Sequence, residues 1–182
     1  RLIICGAGHV AKPTAAIARQ AGFAVTVVDE RDTLLTEERF AGCELVRMEP
    51  AEAAEALAPT DADWVLIVTH DHHIDEEALA AFGARPHRYV GMIGSKRKVF
   101  RILQRLQGKR RLPPLEKVYA PVGLDLGAVS PAEIGVSVVA ELIALRRGRP
   151  ATHMRAVDDP RVRKVLDGEL SADAAARAPE PA

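Results

Sequence analysis

The chain has 182 residues, 48% of them hydrophobic and 27% charged, with 25 Lys and Arg against 25 Asp and Glu. A neutral chain has no overall field that attracts nucleic acid or an anionic membrane, and no apolar run here is long enough to span a bilayer, so we expect binding to neither. The length supports one main globular core that buries roughly 70% of the unfolded surface. Cys5 and Cys43 are too few for a disulfide framework, and with no secretory signal they indicate small buried hydrophobes in a cytoplasmic protein.

Short apolar runs alternate with helical patterns along the chain, and this alternation is typical of repeated βαβ units. The predicted strands are Leu2–Cys5, Val25–Asp29, Glu44–Met48, Trp64–Thr69, Arg88–Ile93 and Lys117–Ala120. The predicted helices are Val10–Ala21, Pro50–Ala58, Asp75–Phe82, Ser95–Gln107 and Pro131–Arg147. This order predicts a doubly wound α/β fold of the Rossmann type, with a mainly parallel six-stranded sheet and helices on both faces.

Turn and capping residues mark several helix ends. Gly22 and Gly83 stand where a left-handed C-terminal cap is expected, and residues 130–133 form a capping box with proline in the first turn. We expect one domain over residues 1–148 and a C-terminal extension over residues 149–182, partly disordered from about residue 171 where Ala, Pro and Glu dominate. The chain begins without Met and enters a strand at once, so we expect that a preceding segment has been removed.

A glycine-rich turn follows the first predicted strand and opens a helix. Its residues are Gly6, Ala7, Gly8, His9, Val10 and Ala11, which match G-x-G-x-x-G/A. In this context the glycines allow a tight turn and a close approach of backbone amides to a pyrophosphate at the helix N-terminus. Asp29 ends the second strand, where a carboxylate accepts from a ribose hydroxyl and disfavours a 2′-phosphate, so NAD fits better than NADP. The alternative is that the glycines serve only the turn.

A cluster of histidines and acids leaves the carboxyl end of the fourth strand, the edge at which open parallel sheets bind ligands. It comprises Thr69, His70, Asp71, His72, His73 and Asp75. Ligands on a single loop rarely close a tetrahedral site, so we expect no metal there. We expect Thr69, His70 and Asp71 to line the ligand crevice, with His9 facing them across the sheet. The alternative is that Asp75 caps the next helix and the other side chains are solvated.

A serine and several cations begin the helix after the fifth strand. Cations are unfavourable at a helix N-terminus unless an anion binds there, so we expect a phosphate at this end. The residues expected to share it are Gly94, Ser95, Lys96 and Arg97. The cations further along, which we expect to form a solvated face, are Arg101, Arg105, Lys109, Arg110 and Arg111.

Five blocks of sequence follow one another in an order that points to a known family. They are residues 5–11, 29–31, 69–72, 90–98 and 121–134, read as CGAGHVA, DER, THDH, VGMIGSKRK and PVGLDLGAVSPAEI. Together they resemble the Rossmann domain of the xanthine dehydrogenase accessory factor (XdhC/CoxI) family, from Leu2 to about Gly148. The last block adds Gly123, Leu124 and Asp125 to the predicted cofactor site.

The resemblance implies a maturation factor for molybdenum hydroxylases of the xanthine or carbon monoxide dehydrogenase type. Such a factor binds the molybdenum cofactor (molybdopterin), assists its sulfuration with a cysteine desulfurase, and passes it to the apoenzyme. Members of the family generally carry a separate N-terminal domain, and no part of this chain corresponds to it. We therefore expect a C-terminal fragment or a short variant, and we leave a homodimer open.

The expected role is that of a non-catalytic, cofactor-binding chaperone, and two alternatives use NAD instead. One is an NAD-dependent oxidoreductase, which is disfavoured because the chain leaves no room for a substrate domain and offers no general acid besides His70 or His9. The other is an NAD-sensing regulatory module, which also needs only one nucleotide-binding unit. Whether NAD, a pterin or both occupy the crevice stays open.

Overall fold

The computed structural model describes residues 1–153 and 155–177. The chain divides into two compact units, Arg1–Gly148 and Arg149–Ala182. The first unit contains a sheet with five helices, and the second contains short helices. None of the described helices is long and apolar enough to cross a membrane.

Six strands form the sheet of the first unit, and every neighbouring pair is parallel. The strands are β1 Leu2–Cys5, β2 Val25–Val28, β3 Glu44–Val46, β4 Trp64–Ile67, β5 Tyr89–Met92 and β6 Val118–Tyr119. Their order is β3-β2-β1-β4-β5-β6, so the predicted doubly wound fold is confirmed. The order reverses between β1 and β4, which is where such sheets open a crevice for a ligand.

The strands from β2 onward end one or two residues before their predicted carboxyl ends. The ladder continues there with single bonds: the Val68 amide donates to the Cys5 carbonyl at 2.9 Å, and the Ile93 amide donates to the Ile67 carbonyl at 3.0 Å. The chain then turns away from the sheet. These turns, rather than the strands, carry the predicted site residues.

Five helices cover the sheet. They are α1 Ala11–Gln20, α2 Pro50–Ala56, α3 His72–Gly83, α4 Lys96–Gly108 and α5 Pro131–Arg147. The predicted capping box of α5 is confirmed, because the Ser130 hydroxyl accepts from the Glu133 amide at 3.3 Å and the Glu133 carboxylate accepts from the Ser130 amide at 2.7 Å. Gly22 adopts the predicted left-handed conformation, with φ of 82°.

The cap predicted at Gly83 is wrong. Gly83 is the last residue of α3, and Ala84 follows it as the cap with an ordinary right-handed conformation. A Cβ atom at Gly83 would overlap the ring of Pro113. Close packing against Pro113 therefore explains the glycine, and a left-handed helix cap does not.

Two apolar layers enclose the sheet, because side chains of β1, β2, β4 and β5 are buried on both faces. One layer joins Leu2 and Ile4 to α1 and α5, and the other joins Ile3 and Cys5 to α2, α3 and α4. Gly135 lets α5 approach α1, since a Cβ there would lie 3.1 Å from the Thr14 amide nitrogen.

Trp64 lies buried at the first position of β4. Its ring meets Phe23 edge-on with centroids 6.0 Å apart, and it packs tilted against Tyr89 at 5.5 Å. These aromatic contacts fill the amino-terminal end of the core.

Among its described residues, the second unit contains two short α-helices, α6 Arg161–Leu166 and α7 Ala172–Arg177. The Arg161 side chain donates to the Ala175 carbonyl at 2.8 Å and so links them. An ordered helix thus occupies the first part of the segment for which disorder was expected, in keeping with the high helix propensity of alanine. The rest of that expectation concerns residues 178–182, which lie outside the described residues.

Candidate functional site

The glycine turn joins β1 to α1 at the point where the strand order reverses. Gly6 has a φ of 114°, and a Cβ there would lie 2.6 Å from the Val68 carbonyl oxygen, so the turn requires glycine for two independent reasons. Gly8 is different, because its φ is not positive and a Cβ would meet no atom within 4 Å. The fold itself therefore does not require glycine at position 8, and the open space above it is available to a ligand.

The amides that follow the turn have no partner in the protein. Helix α1 begins without a side-chain cap and without an acidic residue in its first turn. Within the described residues, the amides of Gly8, His9 and Val10 donate to no acceptor. Unpaired amides and the positive end of a helix dipole form an anion site, so this end of α1 is suited to a phosphate.

Asp29 lies at the end of β2, beside the turn, and is almost fully buried. Its Oδ2 accepts from the Ala7 amide at 2.7 Å and from Arg31 Nη2 at 2.6 Å, and its Oδ1 accepts from the Arg31 amide at 2.9 Å and from Nε at 2.8 Å. Burial by itself raises the pKa of Asp29, but the hydrogen bonds from Arg31 and Ala7 outweigh it and hold the pKa below its usual value. A ribose hydroxyl could donate to this carboxylate only by displacing one of these donors.

Arg39 also binds the glycine turn, through the carbonyl of Ala7. Its Nη2 donates to the Ala7 carbonyl at 3.0 Å, and its Nε donates to the Leu34 carbonyl at 3.0 Å. Sequence reasoning missed both Arg31 and Arg39 as parts of the site. Arg31 belongs to the sequence DER at residues 29–31, where no role is predicted for it. No local pattern connects Arg39 to a turn more than thirty residues earlier.

The residue that caps the helix after β4 is not Asp75, which the sequence offered as an alternative. Asp71 is the N-cap of α3, because its Oδ1 accepts from the His73 amide at 2.7 Å, and the helix begins at His72. The assignment of the cap to Asp75 is therefore wrong. Asp75 is completely buried inside the first turn, and its Oδ1 accepts from the Thr69 hydroxyl at 2.7 Å and from the Thr69 amide at 3.2 Å.

The start of α4 has the predicted serine cap. The Ser95 hydroxyl accepts from the Lys98 amide at 3.2 Å. Lys98 is not free for an anion, because its Nζ pairs with the Asp75 carboxylate and so joins the first turn of α3 to α4. Lys96 and Arg97 are exposed, and neither forms an ion pair within the described residues.

The solvated basic face predicted further along α4 is wrong for three of its members. Arg105 and Lys109 reach the nearly buried carboxylate of Glu76, at 2.5 and 2.9 Å, and Arg111 reaches Glu77 at 2.6 Å. These acids lie on α3, about thirty residues earlier in the chain. The cations thus bind one helix to another, which no spacing within α4 could indicate.

A cavity of about 470 Å³ opens beyond the ends of β5 and β6. Its apolar lining includes Ile93, Val122, Leu124, Leu126 and Ile134, and its polar lining includes Gly94, Lys96, Gly123, Asp125 and Ser137. The Ser137 hydroxyl donates to the Leu124 carbonyl at 2.6 Å and holds the loop against α5. The volume is in the range of small-molecule sites.

The predicted site residues thus all lie at the carboxyl edge of the sheet, but they form separate groups. Asp29, Thr69 and His70 surround one small cleft, together with Glu30 and Pro50. The large cavity collects Gly94, Lys96, Gly123, Leu124 and Asp125. Ser95, Arg97 and Asp71 line neither space, and His9 is exposed on the glycine turn.

The remaining candidates for chemistry are the histidines and the thiols. The rings of His72 and His73 lie 4.1 Å apart, and no three His, Cys, Asp or Glu side chains of the described residues converge on a metal position. Cys5 and Cys43 are buried and unpaired, as predicted. Burial raises the pKa of both thiols, so neither is a reactive thiolate at neutral pH.

Comparison with known proteins gives a consistent result. The sequence profile of a family described as XdhC Rossmann domain matches residues 2–142. An uncharacterized protein YqeB of Escherichia coli (strain K12) is 34% identical over 163 residues, which cover 88% of this chain and 30% of that protein. A probable xanthine dehydrogenase subunit of Bacillus subtilis (strain 168) is 34% identical over 148 residues, which cover 81% of this chain and 43% of that protein.

A solved structure agrees with these sequence relatives. The crystal structure of a xanthine dehydrogenase from Bacillus halodurans superposes with a TM-score of 0.74 at 34% identity, and it covers 88% of this chain and 45% of the other. The chain therefore spans less than half the length of each of these relatives.

Proposed function

The chain belongs to the family of the XdhC Rossmann domain, and from that premise we propose that it serves the maturation of a molybdenum hydroxylase of the xanthine dehydrogenase type. In this proposal it binds the molybdenum cofactor and holds it for transfer to the apoenzyme. The site then needs to bind and release a ligand, and it performs no covalent chemistry of its own.

The observation that carries the proposal is the open space over Gly8 together with the unpaired amides at the start of α1. A molybdopterin ends in a phosphate, or in a pyrophosphate when it is joined to a nucleotide, and this is the group that such a turn binds. The cavity of about 470 Å³ beside β5 and β6 has apolar walls that suit a flat heterocyclic ring. In this proposal the phosphate binds at the glycine turn and the ring binds in the cavity.

Sulfuration of the cofactor would then depend on a partner. Cys5 and Cys43 are the only cysteines of the chain, and both are buried with raised pKa values. A buried thiol cannot exchange sulfur with a bound ligand unless the fold opens. We therefore assign the sulfur donor to a cysteine desulfurase that acts on the bound cofactor, and the hydroxylase apoenzyme then receives the sulfurated cofactor.

The NAD alternatives are not favoured by any observation in the site. A ribose diol needs a carboxylate acceptor at the end of β2. The Asp29 oxygens already accept hydrogen bonds from Ala7 and Arg31.

The test is the ligand content of a pair of glycine variants purified from a host that makes the cofactor. Gly8→Asp places a carboxylate in the open space, so we expect the chain to keep its circular dichroism spectrum and to lose the pterin detected by mass spectrometry. Gly108→Asp is the matched control, because a Cβ at Gly108 also meets no atom within 4 Å but lies at the far end of α4. Equal pterin content in the two variants would overturn the proposal.

A further inference from the structure

We propose that the end of β2 holds a subsite for a phosphate monoester, bound by the Arg31 guanidinium, so that the crevice prefers a dinucleotide with a 2′-phosphorylated ribose to the unphosphorylated form. The inference goes beyond cofactor maturation and shares with it only the phosphate position on the glycine turn. In the sequence alone, the acid at position 29 indicates a preference for NAD over NADP, and this proposal reverses that preference.

The first step is that Asp29 has no acceptor position left. An ionised carboxylate offers about four lone-pair sites. Arg31 and Ala7 fill them with hydrogen bonds between 2.6 and 2.9 Å. A ribose hydroxyl that approached this carboxylate would meet donors rather than an acceptor.

The second step is that Arg31 retains donors. Its Nε and one N–H of Nη2 bind Asp29, which leaves three of the five guanidinium N–H groups. No described residue accepts from Nη1, and 28% of the side chain is exposed. The bidentate contact holds the guanidinium plane in place, and a fixed plane with free donors matches the oxygens of a phosphate.

The third step is the position of this group. The Ala7 amide and Arg31 Nη2 share one carboxylate oxygen of Asp29, at 2.7 and 2.6 Å. The guanidinium is therefore adjacent to the turn that would bind the pyrophosphate. In a dinucleotide on this fold, the ribose next to the pyrophosphate lies at the end of β2, and an arginine there accommodates a 2′-phosphate.

A second guanidinium lies beside the same turn. Arg39 Nη2 donates to the carbonyl of Ala7, the residue whose amide donates to Asp29, at 3.0 Å.

The direct test is calorimetric titration of the full chain with NADPH and with NADH. We expect NADPH to bind roughly tenfold more tightly, because its 2′-phosphate makes a charge-assisted hydrogen bond that NADH lacks. Raising the salt concentration should reduce this ratio. Equal or tighter binding of NADH, or no binding of either compound, would overturn the inference.

The variants assign the preference to one side chain. Arg31→Ala removes the phosphate contact and frees the Asp29 oxygens for hydroxyls, so the ratio should fall to one or below. Arg47→Ala is the matched control, because Arg47 pairs with Asp32 on the surface, with both side chains more than half exposed, and the ratio should stay unchanged. Should Arg31→Ala lose its native circular dichroism spectrum, Arg31→Lys replaces it, with an intermediate ratio expected because lysine lacks the planar fork. A wild-type ratio in the folded variant would refute the assignment.

Two smaller ligands separate the monoester from the pyrophosphate. Adenosine 2′,5′-bisphosphate carries the 2′-phosphate without a pyrophosphate, and ADP carries a pyrophosphate without the 2′-phosphate. We expect Arg31→Ala to weaken only the first. A normal pterin content combined with no preference for NADPH would overturn this inference and leave the proposed function intact. Absence of pterin combined with a preference for NADPH would overturn the proposed function and leave this inference intact.

Discussion

The two halves of the carboxyl edge of the sheet differ in whether their charged side chains are paired. At β2, β1 and β4, the buried carboxylates are paired within the protein, since Asp29 binds Arg31 and Asp75 binds Lys98. At β5 and β6, Lys96 and Asp125 line one cavity without an ion-pair partner among the described residues. The buried acids of the first half are therefore satisfied by the protein, and the exposed charges of the second half are available for a ligand.

The difference shows which half of the site is preformed in the absence of a ligand. Burying an unpaired charge costs several kcal/mol, so the pairs at Asp29 and Asp75 hold their loops in a single arrangement. The exposed Lys96 and Asp125 incur no such penalty, because water solvates them until a ligand binds. The first half thus provides fixed positions for phosphate groups, and the second half offers exposed charges to the rest of a ligand.

The largest effect is expected from breaking the pair at Asp75. Lys98→Met leaves a completely buried carboxylate without its cation, and we expect the free energy of unfolding to fall by about 3 kcal/mol. Urea unfolding at pH 7 measures the loss. The double variant Asp75→Asn, Lys98→Met removes both charges and should recover most of it, since asparagine can still accept from Thr69. A loss below about 1 kcal/mol in Lys98→Met would show that the pair does not hold α3 and α4 together.

A smaller effect is expected at Asp29, and it depends on pH. The folded-state pKa lies below the usual value, so the hydrogen bonds contribute stability above about pH 4 and this contribution is lost as the pH falls through the folded-state pKa. Asp29→Asn should lower the free energy of unfolding by about 1.5 kcal/mol at pH 7. Thermal unfolding of both proteins from pH 7 to pH 2.5 should show the difference shrinking with acid. A difference that stays constant over this range would mean that the carboxylate charge is not the source of the stability.

The smallest effect on stability is expected in the open half. Lys96→Ala and Asp125→Ala remove side chains without ion-pair partners, so each should change the free energy of unfolding by less than about 0.5 kcal/mol. Each should nevertheless lower the pterin content of the purified chain. If either variant loses more than about 1 kcal/mol, the contrast between the two halves is wrong, because that residue must then have a partner in the folded chain.

Features set by neighbouring residues could be predicted from the sequence. The strands, their parallel order and the ends of α5 depend on runs of buried residues and on a capping box that closes within four residues. The position of the site at the carboxyl edge also follows, because the fold class determines where the loops meet. Both the fold and the location of the candidate residues were therefore accessible from the order of the residues alone.

Contacts between distant segments could not be predicted in the same way. Asp75 looked like a helix cap because its partner Lys98 lies 23 residues later, and a buried carboxylate is plausible only once that cation is placed. Arg105 looked solvated because Glu76 lies 29 residues earlier. Asp29 looked available to a ribose because its neighbour Arg31 could equally have pointed into solvent. In each case the sequence contains both partners but not the distance between them.

The position of Trp64 gives the protein a built-in optical signal. It is the only tryptophan of the chain, and it begins β4, while the crevice lies beyond the opposite end of that strand, roughly 10 Å away at ~3.3 Å per residue. Its emission therefore reports whether the aromatic cluster with Phe23 and Tyr89 is intact. In the ligand-free protein, fluorescence at this residue can follow the unfolding of each variant, so that loss of the fold is recognised before binding is measured.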